Sequence, residues 1–226
     1  EGHDKPYQCK DGFFLRMGPN AQKLKRDEII ALIATDGNVR FDEQWNKHFR
    51  FSQDFDSKKL NRFLQLAKLD LRADAFDILQ SLDTAREDNN TPQLNNAGVL
   101  FFAKHPQEFF KESYLTCVRY QGNDRFNIID KKEISGDLIS QIEEAMQFVM
   151  RHSSTGLQIS SGQARHHEIY DYPPNAIREA ITNAVTHRDY AYDASHIYLH
   201  LFSDRMEIEN PGGLFKGLSV EQLGNR

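Results

Sequence analysis

Cysteine is scarce. Only Cys9 and Cys117 occur in 226 residues. Two thiols cannot build the disulfide framework of a small secreted scaffold or a four-ligand structural zinc site, and a reducing cytoplasm is the expected compartment. Long apolar runs are missing too. Nothing approaches the roughly 18 consecutive apolar residues that span a bilayer, so no membrane-spanning helix is expected. Positive charge falls short: 28 Lys and Arg against 33 Asp and Glu leave a net charge of -5, without the overall basic signature of a nucleic-acid binder. No G-x-x-x-x-G-K-[ST] loop is present, which excludes a P-loop motor. The opening Glu1-Gly2-His3-Asp4-Lys5 has no apolar stretch of the kind a signal peptide needs, and it lacks Met; we expect processing or a segment of a longer protein. What the chain does have is phenylalanine, 16 copies, and enough length to bury an aromatic-rich core.

The pattern along the chain is mixed. Phe13–Met17 reads as a strand punctuated by Gly18-Pro19-Asn20, so residues 1–20 suggest a β-hairpin. Asp27 can cap a helix carrying Ile29, Ile30, Leu32 and Ile33. Asp56 or Ser57 can cap a second, with Leu60, Phe63, Leu64 and Ala67 at helical spacing; Ala75, Ile78, Leu79 and Leu82 repeat it. Asp88-Asn89-Asn90 is a turn, and Asn95 can cap a short apolar helix through Phe102. This cluster fits either a helix-turn-helix-like unit or a plain connecting bundle; no basic recognition helix stands out. Leu115–Gln121 has β character, and an amphipathic helix is expected over 135–151. Ser153–Gln163, rich in Ser and Gly, reads as a loop and the best domain boundary. Pro173-Pro174 opens a helix over 174–188 with Ala176, Ile177, Ala180, Ile181, Ala184 and Val185 as its apolar face. Two alternating segments, 196–202 and 205–210, then read as paired strands stopped by Pro211-Gly212-Gly213.

Chemistry concentrates in this last part. Glu179, Asn183 and His187 recur at i, i+4, i+8 and form one stripe, which we expect to border the apolar face. A carboxylate can activate water. An amide oxygen one turn later is a hard ligand suited to Mg²⁺. The same spacing also arises on a solvated helix edge. Asn210-Pro211-Gly212-Gly213 allows a close backbone approach to a planar ligand, or is a simple turn. Weaker signals drop out. His187-Arg188-Asp189 imitates a kinase catalytic loop, but no Asn follows at the required spacing. His196 and His200 lie on one expected strand, more than about 13 Å apart, too far to share a metal. His166-His167 lacks a third ligand, and Lys23, Lys25 and Arg26 read best as solvated surface.

Taken together, a helix with Glu-x-x-x-Asn, a hairpin and a Gly-containing turn resemble the N-box and first glycine box of GHKL ATPases. More closely, Arg178–Tyr190 (REAITNAVTHRDY) followed by Ile208–Leu214 (IENPGGL) is similar to the divergent GHKL-like domain of bacterial transcriptional regulators that are often labelled RecG-like helicases. In those proteins a Schlafen/AlbA-like domain comes first. Gly2–Pro6 and Phe14–Gly18 resemble its last strands, while Leu94–Phe102 and Val118–Gly122 resemble the middle region.

The resemblance implies an α+β chain: residues 1–25 as the end of an AlbA-like DNA-binding domain, 26–152 as a mixed α/β middle region, and 165–226 as the front half of a GHKL (Bergerat-type) α/β sandwich. It implies ATP and Mg²⁺ as cofactors, with Glu179 as water-activating base and Asn183 as Mg²⁺ ligand. His187, Arg188, Asn210, Gly212 and Gly213 would contact nucleotide. DNA, nucleotide and a second copy of the chain are the implied partners. This sequence departs from the pattern at Asn210, where an adenine-reading Asp is usual, and at Leu214, where a spaced Gly is usual; no second glycine box occurs within the 226 residues. The alternative is a non-catalytic dimerisation module with a degenerate nucleotide site.

Overall fold

The computed structural model of the chain describes residues 8–9, 12–17, 20–25, 29, 40–69, 73–153, 155–158, 167–170 and 172–212. The helix expected after Asp27 falls almost wholly outside the described residues, and so does Gly213. The architecture is α+β.

Strands β1 (Gln8–Cys9), β2 (Gly12–Met17) and β3 (Asn20–Lys23) form an antiparallel three-stranded sheet in that order. Helices α1 (Phe51–Asp54), α2 (Ser57–Ala67) and α3 (Ala75–Ser81) come next. The side chain of Asp56 accepts from the Lys58 N–H and that of Asp74 from the Phe76 N–H, so each helix starts where an acceptor meets its orphan donors. A hairpin not anticipated from the sequence follows, β4 (Ala85–Asp88) with β5 (Thr91–Leu94). Its two-residue turn has Asn89 and Asn90 both at positive φ, +50° and +60°, a conformation Asn tolerates and one that matches the twist of a tight hairpin. Helix α4 (Asn96–Phe102) is capped by Asn95, which accepts from Gly98 N–H at 2.8 Å. Gly98 is required there: a Cβ would sit 3.0 Å from the Thr84 carbonyl oxygen. Leu60, Leu64, Ile78, Leu79, Val99 and Phe102 close a core edged by phenylalanines. The helical cluster is thus a packed bundle with a hairpin. In α2, Lys59 and Arg62 are engaged by Asp137 and Glu143.

The second half is built on a four-stranded sheet, with a separate two-stranded hairpin. Strands β6 (Leu115–Tyr120) and β7 (Ile128–Ile134) precede helix α5 (Leu138–His152). After the hairpin β8 (Thr155–Gln158) and β9 (His167–Tyr170) come α6 (Pro174–Thr186), β10 (Ile197–Leu201) and β11 (Met206–Glu209). The order is β11-β10-β6-β7, with β6 and β10 parallel and the outer pairs antiparallel. The expected middle and C-terminal regions therefore share a sheet and a core. Thr155–Gln158 is a strand paired with β9, not loop as expected; four residues that include a glycine are too few to show an alternation in sequence.

One face of the sheet is covered by α5 and α6: Leu115, Cys117, Ile134, Leu199 and Leu201 pack on Phe148, Ile177 and Ile181. The other carries an aromatic row. Tyr198 and His200 stack with planes 3° apart, His200 accepts or donates at Nδ1 with the Tyr120 hydroxyl at 3.0 Å, and Tyr120 stacks on Phe202.

Candidate functional site

Helix α6 begins with Pro173 as N-cap and Pro174 in the first turn, where the missing N–H costs nothing. Ile177, Ile181, Ala184 and Val185 are buried, but Ala176 is exposed and Ala180 half-buried. The apolar face is therefore narrower than the sequence suggests. Two alanines offer too little apolar surface to turn the helix, and the larger Ile and Val side chains set its rotation. This corrects the placement of the Glu179–Asn183–His187 stripe. At 3.6 residues per turn it lies across from the buried arc and not along its border, and all three residues are exposed.

The helix ends at His187, whose N–H donates to the Asn183 carbonyl at 2.9 Å. Two residues on, the Asp189 N–H donates to the Pro211 carbonyl at 3.1 Å. Gly212 follows at φ +131°, and a Cβ there would lie 3.4 Å from Asp189 Cβ. The structure thus brings the His187–Asp189 end of the stripe onto the Asn210–Gly212 turn. That turn also borders a cavity of about 360 Å³ lined by Ser195, His196, Tyr198, Glu209 and Asn210. Glu179 and Asn183 do not line it.

Arg188 takes another course. It is 5% exposed. Its Nη2 donates to the Tyr192 carbonyl at 3.1 Å and the Ser195 carbonyl at 2.9 Å, and the guanidinium lies over the Tyr190 ring. Burial pulls its pKa down, partly offset by Tyr190, Asp189 and Glu112. None of its hydrogen bonds reaches another of the expected site residues.

One constellation was not read from the sequence. His196 contacts Glu112 Oε2 through Nδ1 at 3.1 Å and Thr116 Oγ1 through Nε2 at 3.0 Å. It has the layout of a hydrolase triad, but Thr116 is 1% exposed, so its hydroxyl cannot meet a substrate. His196 lies 80 residues from Thr116 and 84 from Glu112 along the chain, and no local motif announces the group. Among the described residues no three His, Cys, Asp or Glu gather as a metal site. A Mg²⁺ held at Asn183 would draw its remaining oxygens from phosphate and water, as this ion commonly does. The side-chain amide oxygen of Asn183, open to solvent, fits that role, with the Glu179 carboxylate one turn earlier. Among the described residues no helix is long and apolar enough to cross a membrane.

Comparison with known proteins gives a short family match and a fold. Residues 194–226, which hold β10, β11 and the turn after them, match the family described as "Putative ATP-dependent DNA helicase recG C-terminal". In structure the chain is similar to the DIP2311 protein of Corynebacterium diphtheriae, with a TM-score of 0.62 at 15% identity over 93% of this chain. The match spans 41% of that protein's length, and at this identity it speaks for fold alone. No curated protein matches the chain.

Proposed function

We propose that residues 165–226 form a nucleotide-binding domain of the GHKL type that takes ATP with Mg²⁺. The observation that carries this reading is the Asp189–Pro211 hydrogen bond. It joins the end of the Glu179–Asn183 helix, which precedes the matched segment, to the glycine turn inside the segment that matches an ATP-dependent family. Asn183 would offer its amide oxygen to the metal, and Glu179 would orient water from one turn earlier. Asn210 would hydrogen-bond the base edge, and the backbone at Gly212 and Gly213 would approach the ligand closely. Bound Mg²⁺ would neutralise phosphate charge. Because Glu179 and Asn183 stand exposed, few groups enclose the triphosphate and affinity should be weak. Calorimetric titration with Mg-ATP tests this. Saturable binding that weakens about tenfold in Asn183→Ala supports it, at the scale of one charge-assisted contact; binding indifferent to Asn183 contradicts it. Transcriptional regulation, with DNA held through an AlbA-like domain, belongs to the same proposal through the family resemblance.

A second reading, a non-catalytic interaction module, is favoured by Phe126, Ile128 and Ile129, which are 89%, 56% and 58% exposed at the edge strand β7. Self-association in sedimentation, abolished by Ile129→Lys and insensitive to nucleotide, would support this reading over the first.

A further inference from the structure

Arg188 raises a question that the nucleotide site does not answer. A guanidinium keeps its charge in proteins, and a buried charge is costly unless it is paired. Arg188 is buried, and among the described residues its Nε, itself closed to solvent, has no hydrogen-bond partner and the guanidinium forms no ion pair. Asp189 and Glu112, whose charges reach it, are not paired with it: Asp189 Oδ1 accepts from the Ala191 N–H at 3.0 Å, and Glu112 Oε2 meets His196 at 3.1 Å.

This cation lines a cavity of about 410 Å³, at the small end of the roughly 300–1,000 Å³ typical of ligand pockets. The walls are of three kinds. Phe41, Phe110 and Tyr190 supply aromatic surface, with Phe41 edge-on to Phe110 and stacked near Tyr190. Arg188 and Lys111 supply positive charge, and of the two only Arg188 is buried. Glu108, Glu112 and Asp193 supply negative charge.

Each simple ligand class leaves something unmet. A lone anion such as phosphate would satisfy Arg188 but face the carboxylates. A lone amine would leave the guanidinium unpaired. We infer that this cavity binds a free α-amino acid with an apolar or aromatic side chain: its carboxylate pairs with Arg188, its ammonium turns to the acids, and its side chain lies against the phenylalanines. The site is separate from the proposed nucleotide site and does not depend on it.

The test uses the unmodified protein. It is titrated by calorimetry with L-phenylalanine, L-leucine and L-methionine, then with phenethylamine and 3-phenylpropionate, which each lack one charge of phenylalanine, and with inorganic phosphate. At least one amino acid should bind saturably at a single site, and removing the charge it needs should weaken it about tenfold or more. The Arg188 Nε–H resonance, assigned through bonds, should shift along the same saturation curve. Glu112→Gln should weaken the amino acid and leave 3-phenylpropionate unaffected. The inference is overturned if no amino acid binds at millimolar concentration, if a single-charge analogue or phosphate binds as tightly, or if binding leaves the Arg188 resonance unmoved.

Discussion

The backbone N–H of Asp189 donates to the carbonyl of Pro211 at 3.1 Å. That bond ties the segment leaving α6 to the turn leaving β11, and Gly212 makes it possible. At φ +131° the turn occupies backbone space that side-chain-bearing residues rarely enter.

Gly212→Ala should therefore destabilise the turn by about 1–3 kcal/mol, the range for a residue forced into a region reserved for glycine. Native-state hydrogen exchange of the Asp189 amide reads it directly. Faster exchange at Asp189 with little change in the α5 amides is expected; an unchanged Asp189 rate would show that Gly212 is replaceable.

The rotation of α6 yields a paired prediction. Ile181 is fully buried under the sheet, whereas Ala176 faces solvent. Ile181→Ala should cost about 2–5 kcal/mol by urea denaturation, through lost burial and a cavity. Ala176→Ser should stay within about 0.5 kcal/mol, as surface changes do. Equal effects would place the helix face wrongly.

Much of this was legible in the sequence, for local reasons. Helices α2 and α4 start at the caps Asp56 and Asn95 that the sequence marks, and β10 and β11 follow from alternation. Strand β7 was not seen, because its inward positions Asp130 and Lys132 are charged. They are satisfied by His152 and Glu144 on α5 and not by burial in an apolar core. The β4–β5 strands are too short to show a period, and the parallel pairing of β6 with β10 joins residues some 80 positions apart. The spacing of Glu179 and Asn183 was readable, but the direction of their stripe was not, since it depends on which apolar residues win the contact with the sheet. The burial of Arg188 depends on carbonyls of the 192–195 loop, which no side-chain pattern encodes.

His200 gives a pH dependence. It is 4% exposed in the aromatic row, and burial, reinforced by Arg125, lowers its pKa below the ordinary 6.5, against the opposing pull of Glu209 and Glu207. The unfolded chain then binds a proton more readily than the folded one. The stability tied to neutral His200 is fully present above about pH 6.5 and is lost as pH falls through its native value. Urea unfolding between pH 7.5 and 5 should show stability declining with acid, with a shallower decline in His200→Gln. Equal slopes for the two proteins would mean that His200 titrates alike in both states.

The central proposal is that nucleotide would bind between the Asn183 side of α6 and the turn at Asn210. Replacing Mg²⁺ by paramagnetic Mn²⁺ in the ATP complex and recording amide spectra tests it most directly, because line broadening falls steeply with distance from the ion. The account predicts that Mn-ATP selectively broadens the side-chain amide of Asn183, then the amides of Glu179, His187 and Asn210, while those in β2 and α3 stay sharp. Broadening without that selectivity, or centred elsewhere, would contradict it.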